Sequence, residues 1–308
     1  MSDPLQRYQR AFQNMSVDEV LNNRRAIIGP ANMPTDAQGQ LAKDALRALN
    51  DGVEPTPVQL AALETVVRLM RPSQLSVNRE FENIPDEAAG LGDWKAFGTT
   101  VKSALYTIGR VDNSVDKGLG TGFLVSEKLL VTNIHVLDDL TGGLRRLERG
   151  QAKVWFKKEF GAVPEEAAVA IVRVAALHDT LDLAILEIDP VSLSDDRVPL
   201  TISAGNPTAG EAVVVIGYPQ NDPLRNPLFI PAIFGGRFGV KRAAPGEIVS
   251  TTGKSLFHDC STLGGNSGSP VLSLSSGKLV GVHRAGSFMY RNESVRGSDL
   301  QSFVQANL

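Results

Sequence analysis

The chain has 308 residues, of which 42% are hydrophobic, and its formal net charge is −3. That length allows one large or two modest domains with a well-buried core. The near balance of charge argues against a protein whose partner is nucleic acid. A single cysteine, Cys260, excludes an intrachain disulfide and fits a reducing compartment.

The first ten residues lack the apolar run of a secretory signal, and the sequence shows no stretch that would span a bilayer. We therefore expect a cytoplasmic protein with no membrane partner.

Three helix signals succeed one another in the first seventy residues. Ser16 and Glu19 form a capping box that begins a helix ended by Gly29. A second helix is predicted from about residue 35 to residue 50, and Thr56 followed by a proline caps a third, which ends before residue 72. Residues 1–72 thus predict a small all-α domain. It is either a regulatory or partner-binding module or a structural cap on the second domain.

The stretch from residue 73 to residue 95 loses this periodicity and is acidic. It predicts a linker, or an extended arm lying on the second domain. Its glutamates, Glu80, Glu82 and Glu87, would be self-cleavage sites if the chain cuts after acidic residues.

From Trp94 onward, apolar and polar residues alternate in short runs separated by Gly, Pro, Asn and Asp. Many short strands of this kind predict an antiparallel sandwich or barrel. The predicted strands are residues 104–111, 120–125, 129–132, 152–156, 167–174, 183–188, 212–216, 247–251, 271–274 and 279–283. Residues 218–245 predict a loop that could gate a cleft, and residues 299–306 a last helix capped by Ser298. The glycines of residues 118–122 open a strand, which argues against a nucleotide-binding loop.

The segment Thr262-Leu-Gly-Gly-Asn-Ser-Gly-Ser-Pro270 is too irregular for a helix and too rich in glycine for an ordinary strand. Acyl transfer needs such a loop, because the hydroxyl of Ser267 must project while the N–H groups of Gly265 and Ser267 converge on the developing oxyanion. The competing interpretation is a plain Gly/Ser turn between strands.

A serine nucleophile needs a base and an acid that orients it. Among four histidines, His135 stands where an apolar strand is predicted to end. Asp182 opens the apolar run of residues 183–188, where a buried charge requires a partner. Asp179 is the weaker alternative. His178 and His258 lack companions at metal-ligand spacing, so no metal or other cofactor is expected.

Five motifs occur in order along the chain: Thr121-Gly-Phe-Leu-Val, Thr132-Asn-Ile-His-Val, Asp182-Leu-Ala-Ile-Leu, Gly217-Tyr-Pro and Gly264-Gly-Asn-Ser-Gly-Ser-Pro-Val271. Together they resemble the bacterial trypsin-like serine peptidases, in particular the glutamyl-endopeptidase and HtrA-like branches, over roughly residues 96–308. The resemblance implies a mainly β, trypsin-like double β-barrel preceded by the small all-α domain.

The same resemblance implies a triad of His135, Asp182 and Ser267, an oxyanion hole at Gly265 and Ser267, and a protein or peptide substrate. Asn266 replaces the aspartate that, in animal trypsins, pairs with a newly cut N-terminus. Activation by that salt bridge is therefore not expected.

By resemblance, Ser261 lies at the base of the substrate pocket and residues 281–286 form one wall. Asp259 is a poorer candidate for the base, so a Lys or Arg preference is not expected. His283 matches the histidine that helps glutamyl endopeptidases receive an acidic P1 side chain, P1 being the residue before the cut bond. With Thr262 and Gly286 it completes the predicted pocket, whose alternative occupant is a small or apolar side chain.

The leading hypothesis is a serine endopeptidase regulated by its helical module: residues 1–72 form the module, 73–95 a linker and 96–308 the protease domain. One alternative is a catalytically silent protease-fold adaptor whose helices bind a dedicated protein partner. Another is an esterase or acyltransferase with the same triad, which the absence of a Gly-x-Ser-x-Gly elbow disfavours. Cys260 is expected to be buried and inert.

Overall fold

The computed structural model describes residues 5–161, 167–191, 193, 197–222, 229–287 and 291–308. The side chains of Asp86, Glu87, Ala89, Phe229 and Ser287 lie outside this description, and with them the side chain of one proposed cleavage site. Within the described ranges, every helix is too short or too polar to cross a bilayer.

Helices dominate the N-terminal part of the chain, as the capping signals predict. The α-helices are α1 Gln6–Ala11, α2 Val17–Ile28, α3 Asp36–Asn50, α4 Pro57–Met70, α5 Trp94–Val101, α6 Ile134–Thr141, α7 Phe229–Phe234 and α8 Gly297–Gln305. Capping boxes at Ser16, Thr35 and Thr56 begin α2, α3 and α4, each joining the cap hydroxyl to the third residue of its helix. Short 3₁₀ helices lie at Pro30–Asn32, Asp86–Leu91 and Leu105–Thr107.

Six antiparallel strands close the first barrel in the order β3-β4-β5-β8-β7-β6. They are β3 Ile108–Asn113, β4 Gly118–Leu124, β5 Leu129–Thr132, β6 Ala152–Trp155, β7 Val169–Leu177 and β8 Ala184–Ile188. The residues that fill its interior are apolar and fully buried, among them Val111, Leu124, Leu130 and Leu186.

Six further strands close a second barrel, because β10 pairs with both β9 and β11 in the order β11-β14-β13-β12-β9-β10. They are β9 Ala212–Gly217, β10 Arg242–Thr252, β11 Ser255–His258, β12 Pro270–Ser273, β13 Leu279–Ser287 and β14 Arg291–Arg296. An apolar core that includes Ile108, Leu183, Ile216 and Leu272 joins the two barrels. The expected double barrel is confirmed by these pairings.

Several local expectations are wrong. His135 does not close a strand: β5 ends at Thr132, and His135 lies in the first turn of α6. The last helix begins at Gly297 with Arg296 as its N-cap, so Ser298 is not the cap. Residues 218–245 are not loop throughout, since they contain α7 and the start of β10, while residues 223–228 of that stretch lie outside the described ranges. The glycine-rich residues 118–122 do lie on a strand, β4.

The helical region packs directly on the second barrel. Buried side chains of α2 and α4 share one apolar core with α7 and with Leu263, which lies in residues 262–270, the predicted nucleophile loop. Within residues 73–95, β1 Gln74–Val77 pairs with β10, and β2 Glu80–Phe81 pairs with β1. The chain between the helices and the barrels is therefore itself part of the second sheet.

Candidate active site

The imidazole of His135 is bonded to the carboxylate of Asp182. His135 Nδ1 lies 2.6 Å from Asp182 Oδ2, and the backbone N–H of His135 donates to Asp182 Oδ1 over 3.1 Å. Two contacts to one carboxylate fix both the position and the tilt of the ring. Because the carboxylate is an acceptor, Nδ1 carries the ring proton, and Nε2 is left as the acceptor. Asp179, the alternative acid, is exposed on the turn before Asp182.

Two residues hold the bend that carries Asp182. Asn133, the N-cap residue of α6, donates its side-chain amide to the backbone carbonyl of Asp182 over 2.7 Å. His178 Nδ1 accepts the backbone N–H groups of Thr180 and Leu181, both over 3.1 Å. Asn133 and His178 thus support the pair from either side. The sequence gives Asn133 a signal through the Thr132-Asn-Ile-His motif but gives none for His178.

Charge and burial act against each other at this pair. Burial alone would lower the pKa of His135, but the hydrogen bond and charge of Asp182, helped by Asp139 and Asp138, raise it above its ordinary value. Burial would raise the pKa of Asp182, but His135 and the backbone N–H groups of residues 134 and 135 hold it below its ordinary value. Asp182 is therefore the anion of the pair, and it stabilises a proton on His135.

Ser267 lies on a loop that the first barrel holds by its backbone. The N–H of Thr121, on β4, donates to the carbonyl of Ser267 over 2.8 Å, and the Thr121 hydroxyl donates to the carbonyl of Gly265 over 2.8 Å. The carbonyl of Thr121 in turn accepts the hydroxyl of Thr132, at the end of β5, over 2.8 Å. Thr121 and Thr132 thus link the nucleophile loop to the segment that leads into His135.

Close backbone approach explains the glycine after the nucleophile. Gly268 has φ of +83°, and a Cβ there would lie 2.1 Å from the carbonyl oxygen of Thr121. Asn266 braces the same loop with a neutral amide: its Oδ1 accepts the N–H of Leu263 over 3.1 Å. This contact gives the asparagine a structural role without an ammonium partner.

The Gly264–Gly265 peptide is oriented by Gln220, whose N–H donates to the carbonyl of Gly264 over 2.7 Å. In a trans peptide the C=O and N–H groups point in opposite directions. The N–H of Gly265 therefore points away from Gln220. No bond to either the Gly265 or the Ser267 N–H is present among the described residues, so both are available to an anion.

The Ser267 hydroxyl and the His135 ring are not hydrogen-bonded to each other in the described part of the chain. Their segments meet at Gly120, where a Cβ would lie 2.7 Å from the side chain of Val136 and 3.1 Å from the carbonyl oxygen of Ser267. Contacts between a nucleophile and its base are often long without substrate and tighten when substrate is bound.

Two of the predicted pocket residues, Thr262 and Gly286, lie against the buried side chain of Asn292. Ser261, Thr262 and His283 are buried, whereas Gly286 is exposed. The Thr262 hydroxyl donates to Oδ1 of Asn292 over 2.9 Å, and a Cβ on Gly286 would lie 2.4 Å from that same oxygen. Sequence reasoning missed Asn292, because nothing on β14 distinguishes it before the strands are paired.

Behind His283 lies a second buried histidine. His283 Nδ1 is 3.3 Å from Nε2 of His258, and the ring centroids are 5.4 Å apart. Burial, aided by the charges of His258 and His135, lowers the pKa of His283 well below its ordinary value. Burial likewise lowers the pKa of His258, to about 3. Both rings are therefore neutral at pH 7.

Other side chains near the pocket point elsewhere. Arg284 pairs with Glu293 and Ser255 on the face of β13 opposite to His283. Cys260 is fully buried, as expected, and burial raises the pKa of its thiol above the ordinary value. Among the described residues, no group of three or more His, Cys, Asp or Glu side chains could hold a metal ion.

The glutamyl endopeptidase of Staphylococcus epidermidis is 29% identical over 195 residues, which are 61% of this chain and 62% of that protein. The chain thus spans under two thirds of the length of this curated relative. A serine endoprotease from Yersinia pestis is 22% identical with a TM-score of 0.48, over 68% of this chain and 65% of that one.

A second solved structure, that of Rv3671c from M. tuberculosis, is 20% identical with a TM-score of 0.46, over 68% of this chain and 89% of that one. A model of the trypsin-like peptidase domain matches residues 120–282, from the strand of Thr121 to the strand of His283. Since this match takes in more than half of the chain, including His135, Asp182 and Ser267, the chain belongs to the trypsin-like peptidase family.

Proposed function

We propose that this chain is a serine endopeptidase that cuts peptide bonds through an acyl-enzyme. The observation that carries the proposal is the bond between His135 Nδ1 and Asp182 Oδ2, which leaves Nε2 of the same ring to act as base. In this mechanism Ser267 Oγ attacks the peptide carbonyl while His135 Nε2 takes the hydroxyl proton and returns it to the leaving amine. Water then attacks the acyl carbonyl and gives a proton to His135 Nε2; the bond from the acyl carbon to Ser267 Oγ breaks, Oγ receives that proton, and the new carboxyl terminus is released.

The oxyanion of each tetrahedral intermediate would be bound by the N–H groups of Gly265 and Ser267. Gln220 supports this role, because it holds the Gly264 carbonyl on the opposite side of the peptide. Donors fixed before the reaction stabilise developing charge without reorganising, and removing one such donor typically slows turnover by about 10²–10³-fold.

We propose that the pocket receives an acidic P1 side chain of the substrate. Nδ1 of His258 has no hydrogen-bond partner among the described residues, and a buried acceptor without a partner is found more often than a buried donor without one. We therefore assign the ring proton of His258 to Nε2, which donates to His283 Nδ1. His283 then carries its own proton on Nε2, where it can donate to a carboxylate. The relative named glutamyl endopeptidase supports the same preference.

Fluorophosphonate labelling of the full chain, beside Ser267→Ala, tests the mechanism. The expected result is labelling of the wild type and none of the variant, with turnover reduced about a millionfold. Ser276→Ala, in an exposed turn between β12 and β13, is the matched control and should label normally. An unlabelled wild type would overturn the mechanism and favour the silent adaptor.

Peptides that differ only at P1, carrying Glu, Gln, Leu or Lys, test the pocket. We expect the highest kcat/KM for Glu, and a selective loss of Glu over Leu cleavage in His283→Leu. Ser267-dependent cleavage with another P1 preference would retain the mechanism and discard the acidic pocket.

A further inference from the structure

A buried cluster of charged side chains joins the N-terminal helices to the strand that leads into the substrate pocket. The cluster consists of Arg7, Glu64, Arg68, Arg71, Glu247 and Asp259. At its centre, Asp259 Oδ2 accepts from Arg7 over 2.7 Å and from Arg71 over 3.2 Å. Asp259 is followed directly by Cys260, Ser261 and Thr262, the segment at the base of the pocket.

Other bonds of the cluster also join the N-terminal helices to the second barrel. Glu64, on α4, binds Arg7 and Arg68, each over 2.8 Å. Arg68 also donates to the backbone carbonyl of Cys260 over 3.3 Å. On the barrel side, Glu247 binds Arg71 over 2.5 Å and donates its own N–H to Asp259 Oδ1 over 2.6 Å.

Each of these six side chains is less than a tenth exposed. Taking so many charges out of water is unfavourable unless each is closely paired, and apolar side chains of similar size would hold two surfaces together equally well. Burial raises the pKa of Asp259, but the charges of Arg71 and Arg7 more than offset this and lower it overall. Asp259 is thus held as an anion, and its bonds with Arg7, Arg71 and the Glu247 N–H hold its side chain in place.

The helices hold the same segment a second time, four residues later. Leu263 is buried in the apolar core of α2, α4 and α7, and its N–H donates to Asn266 in the nucleophile loop. Ser261 and Thr262 therefore lie between two anchors, an ionic one at Asp259 and an apolar one at Leu263. Both anchors depend on the N-terminal helices.

We infer that Arg7 and Arg71 are positioning residues for the substrate pocket and the nucleophile loop, and that the N-terminal helices are a built-in activator of this site. The inference rests on the proposed peptidase function, which it deepens. The helices belong to the same chain as the site, and they hold residues 259–263 in place. The reaction requires these residues to be ordered. Cleavage that released the helices would lower activity.

The test uses the full chain with Arg7→Met, which keeps an unbranched apolar stem but removes the guanidinium and its charge. Asp259 retains Arg71 and the Glu247 N–H, and Glu64 retains Arg68, so the fold is expected to survive. Misplacing a substrate-binding segment lowers kcat/KM on the order of 10- to 100-fold. We expect a loss of that size, mostly as a higher KM, with partial recovery in Arg7→Lys.

The matched control is Arg10→Met on the same helix. Arg10 binds Glu247 over 2.9 Å from a side chain that is 41% exposed, and it has no bond to Asp259. Its kcat/KM should remain within about twofold of the wild type, since partly exposed ion pairs contribute little.

Amide hydrogen exchange in a Ser267→Ala background supplies a readout that does not depend on catalysis. Adding Arg7→Met should speed exchange in residues 259–268 and leave β8 of the first barrel unchanged. Unchanged exchange together with unchanged kcat/KM would overturn the inference. If the wild type shows no Ser267-dependent turnover but Arg7→Met still speeds amide exchange, the positioning role is retained and the peptidase function is discarded.

If Arg7→Met does not fold, Asp259→Asn replaces it in the same assays. The asparagine preserves the size of the side chain and can still accept the Glu247 N–H. Normal exchange and normal kcat/KM in this variant would count against the inference, whereas faster exchange of residues 259–268 and a lower kcat/KM would support it.

Discussion

At the scale of single residues, two opposing effects act on the pKa of His135. Its ring is partly buried, which disfavours the charged form, and it is bonded to an aspartate that favours that form. The aspartate prevails, so the pKa of His135 is raised and its ring stays protonated to a higher pH than an ordinary histidine does.

This balance predicts the pH profile of the enzyme. The base acts when neutral, so kcat/KM should rise with pH through the raised pKa of His135, with a midpoint above its ordinary value of 6.5. In Asp182→Asn, burial acts without the opposing charge, so the midpoint should move to lower pH and turnover should fall by about 10⁴-fold. Initial rates between pH 5 and 9 measure both.

Asp139→Asn is the matched control for that profile. Asp139 also raises the pKa of His135 but is not bonded to it. This variant should shift the midpoint slightly in the same direction with little loss of rate. A midpoint that is identical in the wild type and in Asp182→Asn would contradict the assignment of His135 as the base.

At the scale of elements, the end of β9 must come very close to the nucleophile loop. A Cβ on Gly217, the last residue of β9, would lie 1.9 Å from Ser269 Oγ and 2.8 Å from Asn266 Nδ2. Both of those side chains are buried, so they have little room to move. The Gly217-Tyr-Pro motif thus has a steric reason.

We expect Gly217→Ala to lower the free energy of unfolding by about 1–3 kcal/mol, as overpacking of a core does, and to slow fluorophosphonate labelling. Gly264→Ala is the control for stability, because a Cβ there would meet nothing within 4 Å. Urea unfolding of the two variants and of the wild type measures these differences in the free energy of unfolding. Equal stability of all three would show that the loop adjusts without strain.

At the scale of the whole molecule, the helical region and the second barrel share both an apolar core and the buried ion cluster. Removing the helices would expose Leu263 and the apolar residues of α7, and would leave Asp259 and Glu247 without their arginines. A buried carboxylate that loses its partner is strongly destabilising, by about 3–5 kcal/mol.

We therefore predict that a chain beginning at Ser73 will not accumulate as a folded monomer, although the motifs of the peptidase family all lie beyond that point. Soluble yield, size-exclusion chromatography and near-UV circular dichroism check this. A monomeric residue 73–308 fragment that labels at Ser267 as fast as the full chain would contradict it.

Local patterns were sufficient to predict much of this molecule. The capping box at Ser16, the cap at Thr56 and the apolar run of residues 183–188 each concern neighbours in the chain, whose hydrogen bonds and side-chain pattern act locally. The five ordered motifs predicted the family, which the domain match confirms. Local patterns also predicted the strand of residues 129–132, which is β5, but they did not predict helix α6 directly after it, in whose first turn His135 lies.

The sequence by itself thus determined the fold class, the family and the residue types available for catalysis. Only the tertiary structure decided which aspartate meets His135, that His258 lies beside His283, and that Asn292 bonds to Thr262. It also decided that Arg7 reaches Asp259, 252 residues away. Such contacts form when the two barrels close and the helices pack on one of them. Patterns among neighbouring residues do not predict these contacts, because the residues involved lie far apart in the chain.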